Sequence, residues 1–119
     1  MFLQLPHQKL DVYKATRSFV LQCYMHTRNF PPEERFNTTQ QIRRAALSVH
    51  LNIAEGASRK SVDERKRLFE IARGSIIEID AALDVAEDLG YINLSQIKEL
   101  GELLIRCFQM LSKLISRYQ

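Results

Sequence analysis

Residues 61–90 read SVDERKRLFEIARGSIIEIDAALDVAEDLG, and this stretch decides the fold class. It opens on Ser61-Val62-Asp63-Glu64, a capping box in which Ser61 and Glu64 can satisfy each other's backbone donors. Leu68, Ile71, Ala72, Ser75, Ile79, Ala82, Leu83 and Ala86 then recur at the spacing of one helix face. Gly90 follows as the left-handed residue that closes a helix. The pattern predicts one long helix from the box to about Leu89.

Toward the C-terminus, Ile97, Leu100, Leu104, Cys107, Leu111, Leu114 and Tyr118 form a bundle-type seam. They predict a helix that starts near Asn93 or Ser95 and runs almost to the end. Toward the N-terminus, Ile42, Ala45, Ala46, Val49 and Ile53 are the core stripe of a helix ending near Ala57. Pro32 suits its first turn, and Glu33 and Glu34 complement its dipole. The remaining helix spans about Gln8 to Arg28, with Leu10, Tyr13, Val20 and Tyr24 on its stripe. It ends before Phe30-Pro31-Pro32, because proline disfavours helix in the residue before it. Four helices with short connections and no linker, repeat or low-complexity tract predict an all-α fold. The expected architecture is an antiparallel up-down-up-down four-helix bundle, a single domain over residues 1–119.

Composition agrees. A chain of 119 residues is one domain's length, and 45% apolar with 26% charged residues is ordinary for a globular protein. With 4 Gly and 3 Pro, turn formers are too scarce for a many-stranded β fold. No apolar run approaches the roughly 18 residues of a membrane span, and Met1-Phe2-Leu3-Gln4-Leu5-Pro6 does not open a signal peptide. A cytoplasmic location without a membrane partner is the expectation. Cys23 and Cys107 are too far apart for a zinc or redox motif and read as small reduced hydrophobes.

The wheels carry more apolar surface than one bundle core uses. Leu47, Leu51 and Ala54 form a second side on the helix before residue 57, Ile77 stands among charges, and Ile105, Phe108 and Ile115 make a second stripe near the C-terminus. Scattered exposed hydrophobes are common, but recurrence at helical spacing on two helices favours a subunit interface. Leu47, Leu51, Ile105, Phe108 and Ile115 are its candidates.

Catalytic signatures are missing. No Glu-x-x-His pair, phosphate-binding Gly-rich loop, Gly-x-Ser-x-Gly elbow or His-Glu-x-x-His occurs, and His7, His26 and His50 do not form a ligand set. Asp84, Glu87 and Asp88 read as a solvated acidic face. No catalytic residue, metal or cofactor is expected. Gly74 in a helix interior costs about 1 kcal/mol against alanine, which suggests close packing of two helices through Ala45, Ala46, Ala72, Gly74 and Ser75. Arg44, Asn52, Glu55 and Glu78 could form polar pairs beside that contact. Internal pairing is also an alternative for Arg43, less so than for Arg44.

These residues carry a resemblance. Gln41-Ile42-Arg43-Arg44-Ala45-Ala46-x-Ser48-Val49-x-x-Asn52-Ile53-Ala54-Glu55-Gly56, then Ile71-Ala72-Arg73-Gly74-Ser75-x-x-Glu78, then Leu89-Gly90-Tyr91-Ile92 resembles the bacterial four-helix-bundle family of 23S rRNA intervening-sequence proteins. Phe30-Pro31-x-Glu33-Glu34 fits as well, and the resemblance spans nearly the whole chain. The family includes relatives of the accessory variability protein of diversity-generating retroelements. The resemblance implies a ring-shaped homopentamer that binds nucleic acid through basic residues, with a reverse transcriptase as partner in the retroelement branch. Thr38 and His50 depart from it, standing where many members carry leucine and proline. Without that proline the second helix should be straighter.

Charge gives the candidate site. The net charge is +3, but residues 1–77 hold 13 basic and 7 acidic side chains, against 4 and 7 in residues 78–119. Arg59, Lys60, Arg65, Lys66 and Arg67 cluster around the second interhelical loop, with Arg43 and Arg73 as further candidates. No aromatic interleaves the cluster, so contact with the RNA or DNA backbone, tolerant of sequence, is the leading expectation. The alternatives are exposed ion pairs with Asp63, Glu64 and Glu70, and an adaptor oligomer that binds a protein.

Overall fold

The computed structural model describes residues 2–118, so the ends of the expected domain, Met1 and Gln119, lie outside it. Its four α-helices are α1 (Asp11–Thr27), α2 (Thr38–Ser58), α3 (Val62–Asp88) and α4 (Lys98–Ser116). No strand occurs among the described residues. Sequential helices pack on each other and α4 closes back on α1, whereas the diagonal pairs, α1 with α3 and α2 with α4, make no close backbone approach. Contacts run in opposite chain directions. On α1 and α2, Arg43 meets Thr27 and His50 meets Thr16. On α2 and α3, Gly56 lies against Phe69 and Ser48 against Ser75. Between α3 and α4, Arg73 meets Ser112, and Phe69 meets Tyr118 in the turn just past α4. This is the antiparallel four-helix bundle.

α3 follows its sequence signals closely. The Glu64 amide donates to Ser61 Oγ at 3.3 Å, and Gly90 takes a φ of +79°. Its buried face holds Leu68, Phe69, Ala72, Ser75, Ile76, Ile79, Leu83 and Ala86; Ile71, expected inside, is exposed. α2 departs more. Pro32–Glu34 form a separate 3-10 turn, and the helix begins only at Thr38. Asn37, at φ −129° and ψ −106°, breaks the run and makes no side-chain cap. Glu34 caps instead: its Oε2 accepts from the Thr38 amide at 3.2 Å, the Thr38 hydroxyl and Asn37 Nδ2. These donors, the Thr38 hydroxyl first, hold the Glu34 carboxyl below its usual range. Past that cap, α2 runs without a break across His50.

At the N-terminus, Pro6–Lys9 form a 3-10 turn and α1 starts at Asp11. Its buried face is Val12, Ala15, Thr16, Phe19, Val20, Cys23 and Thr27, which leaves Tyr13 and Tyr24 half-buried at the margin. α4 starts at Lys98, after a turn in which Asn93 Oδ1 accepts from the Ser95 amide at 2.9 Å. Ile115 is 1% exposed and belongs to the bundle's own core. Its expected place in the subunit interface is therefore corrected: the buried face of α4 turns past Leu114 and takes in its neighbour.

Gly74 is a second correction. A Cβ there would meet nothing within 4 Å, so close packing is not its role. The tight contact lies at Gly56, where a Cβ would stand 2.8 Å from Phe69 Cε1 and 3.2 Å from Leu68 Cβ. Above it, Asn52 Nδ2 donates to Ser48 O at 2.8 Å and Ser75 Oγ donates to Ser48 Oγ at 3.1 Å, a short polar ladder between α2 and α3. Cys23 and Cys107 are buried as free thiols, and burial pushes both up to about 12.

Candidate nucleic-acid interface

The basic cluster stands where α2 hands over to α3. α2 ends with Arg59 in extended conformation, and Arg65 Nε reaches back from the first turns of α3 to the Arg59 carbonyl. One cation thereby caps a helix, since the last carbonyls of α2 lack helical partners. Arg59 itself pairs with Glu55 one turn back. That is the only ion pair among the described residues, so the expected alternative of pairs with Asp63, Glu64 or Glu70 does not form. Lys60 and Arg67 are exposed and Lys66 is half-exposed. The five cations thus divide into two that tie the loop and three that remain available to an anion.

Arg43 and Arg73 are interhelical ties. Arg43 Nε donates to Thr27 Oγ1 at 2.9 Å, its second nitrogen donates to Tyr24 O at 3.2 Å, and its guanidinium lies 4.8 Å from the Tyr24 ring centroid. Arg73 donates to Ser112 Oγ at 3.3 Å. Arg44, the stronger of the two candidates for internal pairing, is exposed, as is Glu78. The exchange has a simple cause: residue 43 faces α1, and residue 44 faces out.

Beside Arg43, the break before α2 builds a feature that sequence reasoning missed. Phe36 is 77% exposed, with the Arg35 guanidinium 5.1 Å from its ring centroid. The two border a cleft of about 320 Å³ with Tyr24, Gln40, Arg43 and Arg44. A continuous helix from Pro32 would have placed Phe36 on a wheel. The available signal was an aromatic next to an arginine that fitted no stripe.

Two apolar patches lie on different sides of the bundle. Leu47 and Leu51, the latter 58% exposed, point outward from α2. Ile77, Ile105 and Phe108 flank a cleft of about 390 Å³ between α3 and α4. Among the described residues no group of three or more His, Cys, Asp or Glu side chains could hold a metal ion. No described helix is long and apolar enough to cross a membrane.

The family described as 23S rRNA-intervening sequence protein matches residues 8–113. The chain belongs to this family. Among solved structures, a crystal structure of a protein with unknown function from the S23 ribosomal protein family of Bacteroides thetaiotaomicron is similar. The match has a TM-score of 0.80 at 19% identity and covers 88% of this chain and 95% of that one, which establishes a shared fold. A comparison with curated proteins found no match.

Proposed function

We propose that this member of the 23S rRNA-intervening sequence protein family is a non-enzymatic oligomer that binds the backbone of RNA or DNA. The observation that carries the reading is at the α2–α3 loop. Lys60, Lys66 and Arg67 form no ion pair among the described residues, although Asp63, Glu64 and Glu70 are close in sequence. Cations left unpaired at one end of a bundle are free to displace counterions from phosphates. The family description names an intervening sequence of 23S rRNA, which connects the chain to RNA by name.

The two apolar patches support self-association. Leu47 and Leu51 on α2 and the Ile77–Ile105–Phe108 cleft are different surfaces, so a contact between them is heterologous and repeats head to tail. Such a contact closes into a ring when the rotation permits. In the pentamer that the family resemblance implies, five copies at +3 would carry a total of about +15, and repeated weak phosphate contacts would add through avidity.

A gel-shift titration across salt concentrations tests the reading. Wild-type affinity should fall steeply with salt, by about 0.9 in the log–log slope per duplex phosphate neutralised. Removing Lys66 and Arg67 together (Lys66→Ala, Arg67→Ala) should flatten that slope by up to about 2 units for each subunit that contacts the nucleic acid, and weaken all sequences alike. Light scattering on the same sample should give a mass well above 13.9 kDa. A monomer overturns the assembly. No nucleic-acid binding at low salt overturns the ligand and leaves the adaptor reading, which the apolar α3–α4 cleft favours.

A further inference from the structure

We infer that the corner where the α1–α2 connection meets α2 is a stacking site for an unpaired nucleobase of single-stranded nucleic acid. Phe36 is the platform, Arg35 is oriented against its ring, and Arg44 holds a flanking phosphate. The inference rests on the nucleic-acid reading above and adds what the 59–67 cluster lacks, an aromatic surface.

Folding makes little use of Phe36. It is 77% exposed, whereas Phe19, Phe30 and Phe69 are buried. An aromatic left in water beside a guanidinium is the pairing by which proteins hold single strands, since every base has a π-face to stack on the ring. Arg35 already lies 5.1 Å from the centroid, so the cation and the ring form one surface. Gln40 adds an amide to the cleft wall, a group suited to base edges.

The charge of the cleft selects the ligand. Its lining contains Arg35, Arg43 and Arg44 and no carboxylate. Glu34, on the adjoining turn, is turned away: its carboxylate accepts from Thr38, Asn37 and the Tyr91 hydroxyl. Arg43 is a positioning residue, because its bonds to Thr27 and Tyr24 fix the wall and use two of its five donors. A volume of about 320 Å³ lies at the small end of ligand pockets and admits a nucleoside rather than a helix. Duplex bases are stacked on each other and would have to be extruded to reach Phe36.

Fluorescence anisotropy tests the site with oligo-uridine RNA, oligo-thymidine DNA and a duplex DNA of equal length, on wild type, Phe36→Ala, Phe36→Tyr and Arg44→Ala. Phe36→Ala should weaken single strands by about fivefold to a hundredfold, and duplex by less. Its salt slope should match wild type, since no charge is removed, and Phe36→Tyr should restore affinity. Arg44→Ala should lower the single-strand slope by about 0.7 for each site engaged. Loss on both single strands indicates a base site common to them, and loss on one alone names RNA or DNA as the ligand. If single strands bind wild type and Phe36→Ala equally, the stacking site is wrong and backbone binding stands. If wild type binds nothing at low salt, both readings fall. Leu47 joins this cleft to the α2 patch, so mass is measured too, and a Phe36→Ala variant of altered mass makes Phe36 a subunit contact and overturns the inference.

Discussion

The two ends of α2 both gather cations, arginines alone at the N-terminal end, yet they hold them in opposite ways. At the C-terminal end, Arg59 and Arg65 tie the loop and leave Lys60, Lys66 and Arg67 without partners. At the N-terminal end, Arg35 lies over Phe36 and Arg43 over Tyr24. The ends are separated by the 21 residues of α2, about 30 Å at helical rise. A cation over water is a phosphate handle that salt weakens, whereas a guanidinium over a ring is a rigid, oriented plane. Sequence charge counts both alike. What lies beneath the cation separates them.

The largest expected effect breaks the C-terminal end. Gly56→Leu should destabilise the bundle by about 1–3 kcal/mol, because Phe69 and Leu68 leave no room for a side chain. Gly74→Ala is its control and should stabilise by up to about 1 kcal/mol, since that position opens to space and alanine favours helix. Thermal melts of the two variants should move in opposite directions. A Gly56→Leu protein that melts with wild type would show that the α2–α3 clasp is loose.

Breaking the N-terminal end should cost less. Arg43→Ala removes two hydrogen bonds from a charged donor and the contact with Tyr24, a loss of about 1–2 kcal/mol in urea unfolding. Arg43→Lys should not recover it, because an ammonium cannot donate in the same planar fork. Equal stability of the lysine variant and wild type would mean that charge, not geometry, holds the corner.

The smallest effect lies between the ends. His50 stacks on Tyr13 at 4.3 Å, and its Nδ1 is 2.9 Å from Thr16 Oγ1. Burial, then Arg17 and His7, lowers its pKa from 6.5. Above pH 6.5 both folded and unfolded chains hold it neutral, and it contributes no pH dependence. As pH falls through that value the unfolded chain takes the proton first, so stability declines until the folded pKa is passed. Urea melts at pH 7.5 and 5.5 should show that decline in wild type and a smaller one in His50→Gln. An identical decline in both would assign the pH dependence to other groups.

The helices were legible wherever a local signal stood alone. Ser61, Gly90 and the α3 stripe placed a helix to within a residue or two, because caps act between near neighbours. The boundary of α2 was not legible in the same way. Pro32, Glu33 and Glu34 made a good first turn, and they do form one, but Glu34 then reaches over the break to cap Thr38. The basic cluster at residues 59–67 was visible as composition. Which of its cations are engaged was not, since Arg65 folds back across the loop.

From the sequence alone came the all-α class, the helix count and most of the core stripes, all consequences of spacing along one chain. Tertiary packing decided which of two small residues is the close contact, which of two adjacent arginines faces inward, and where an aromatic was left in water. Gly56 rather than Gly74 meets another helix, and Arg43 rather than Arg44 meets Thr27. Ile115 rather than Leu114 is sealed inside the bundle. Adjacent residues on a helix point about 100° apart, so a rotation smaller than that step exchanges their environments. Periodicity fixes a face only to within a residue, and the partner helices set the rotation.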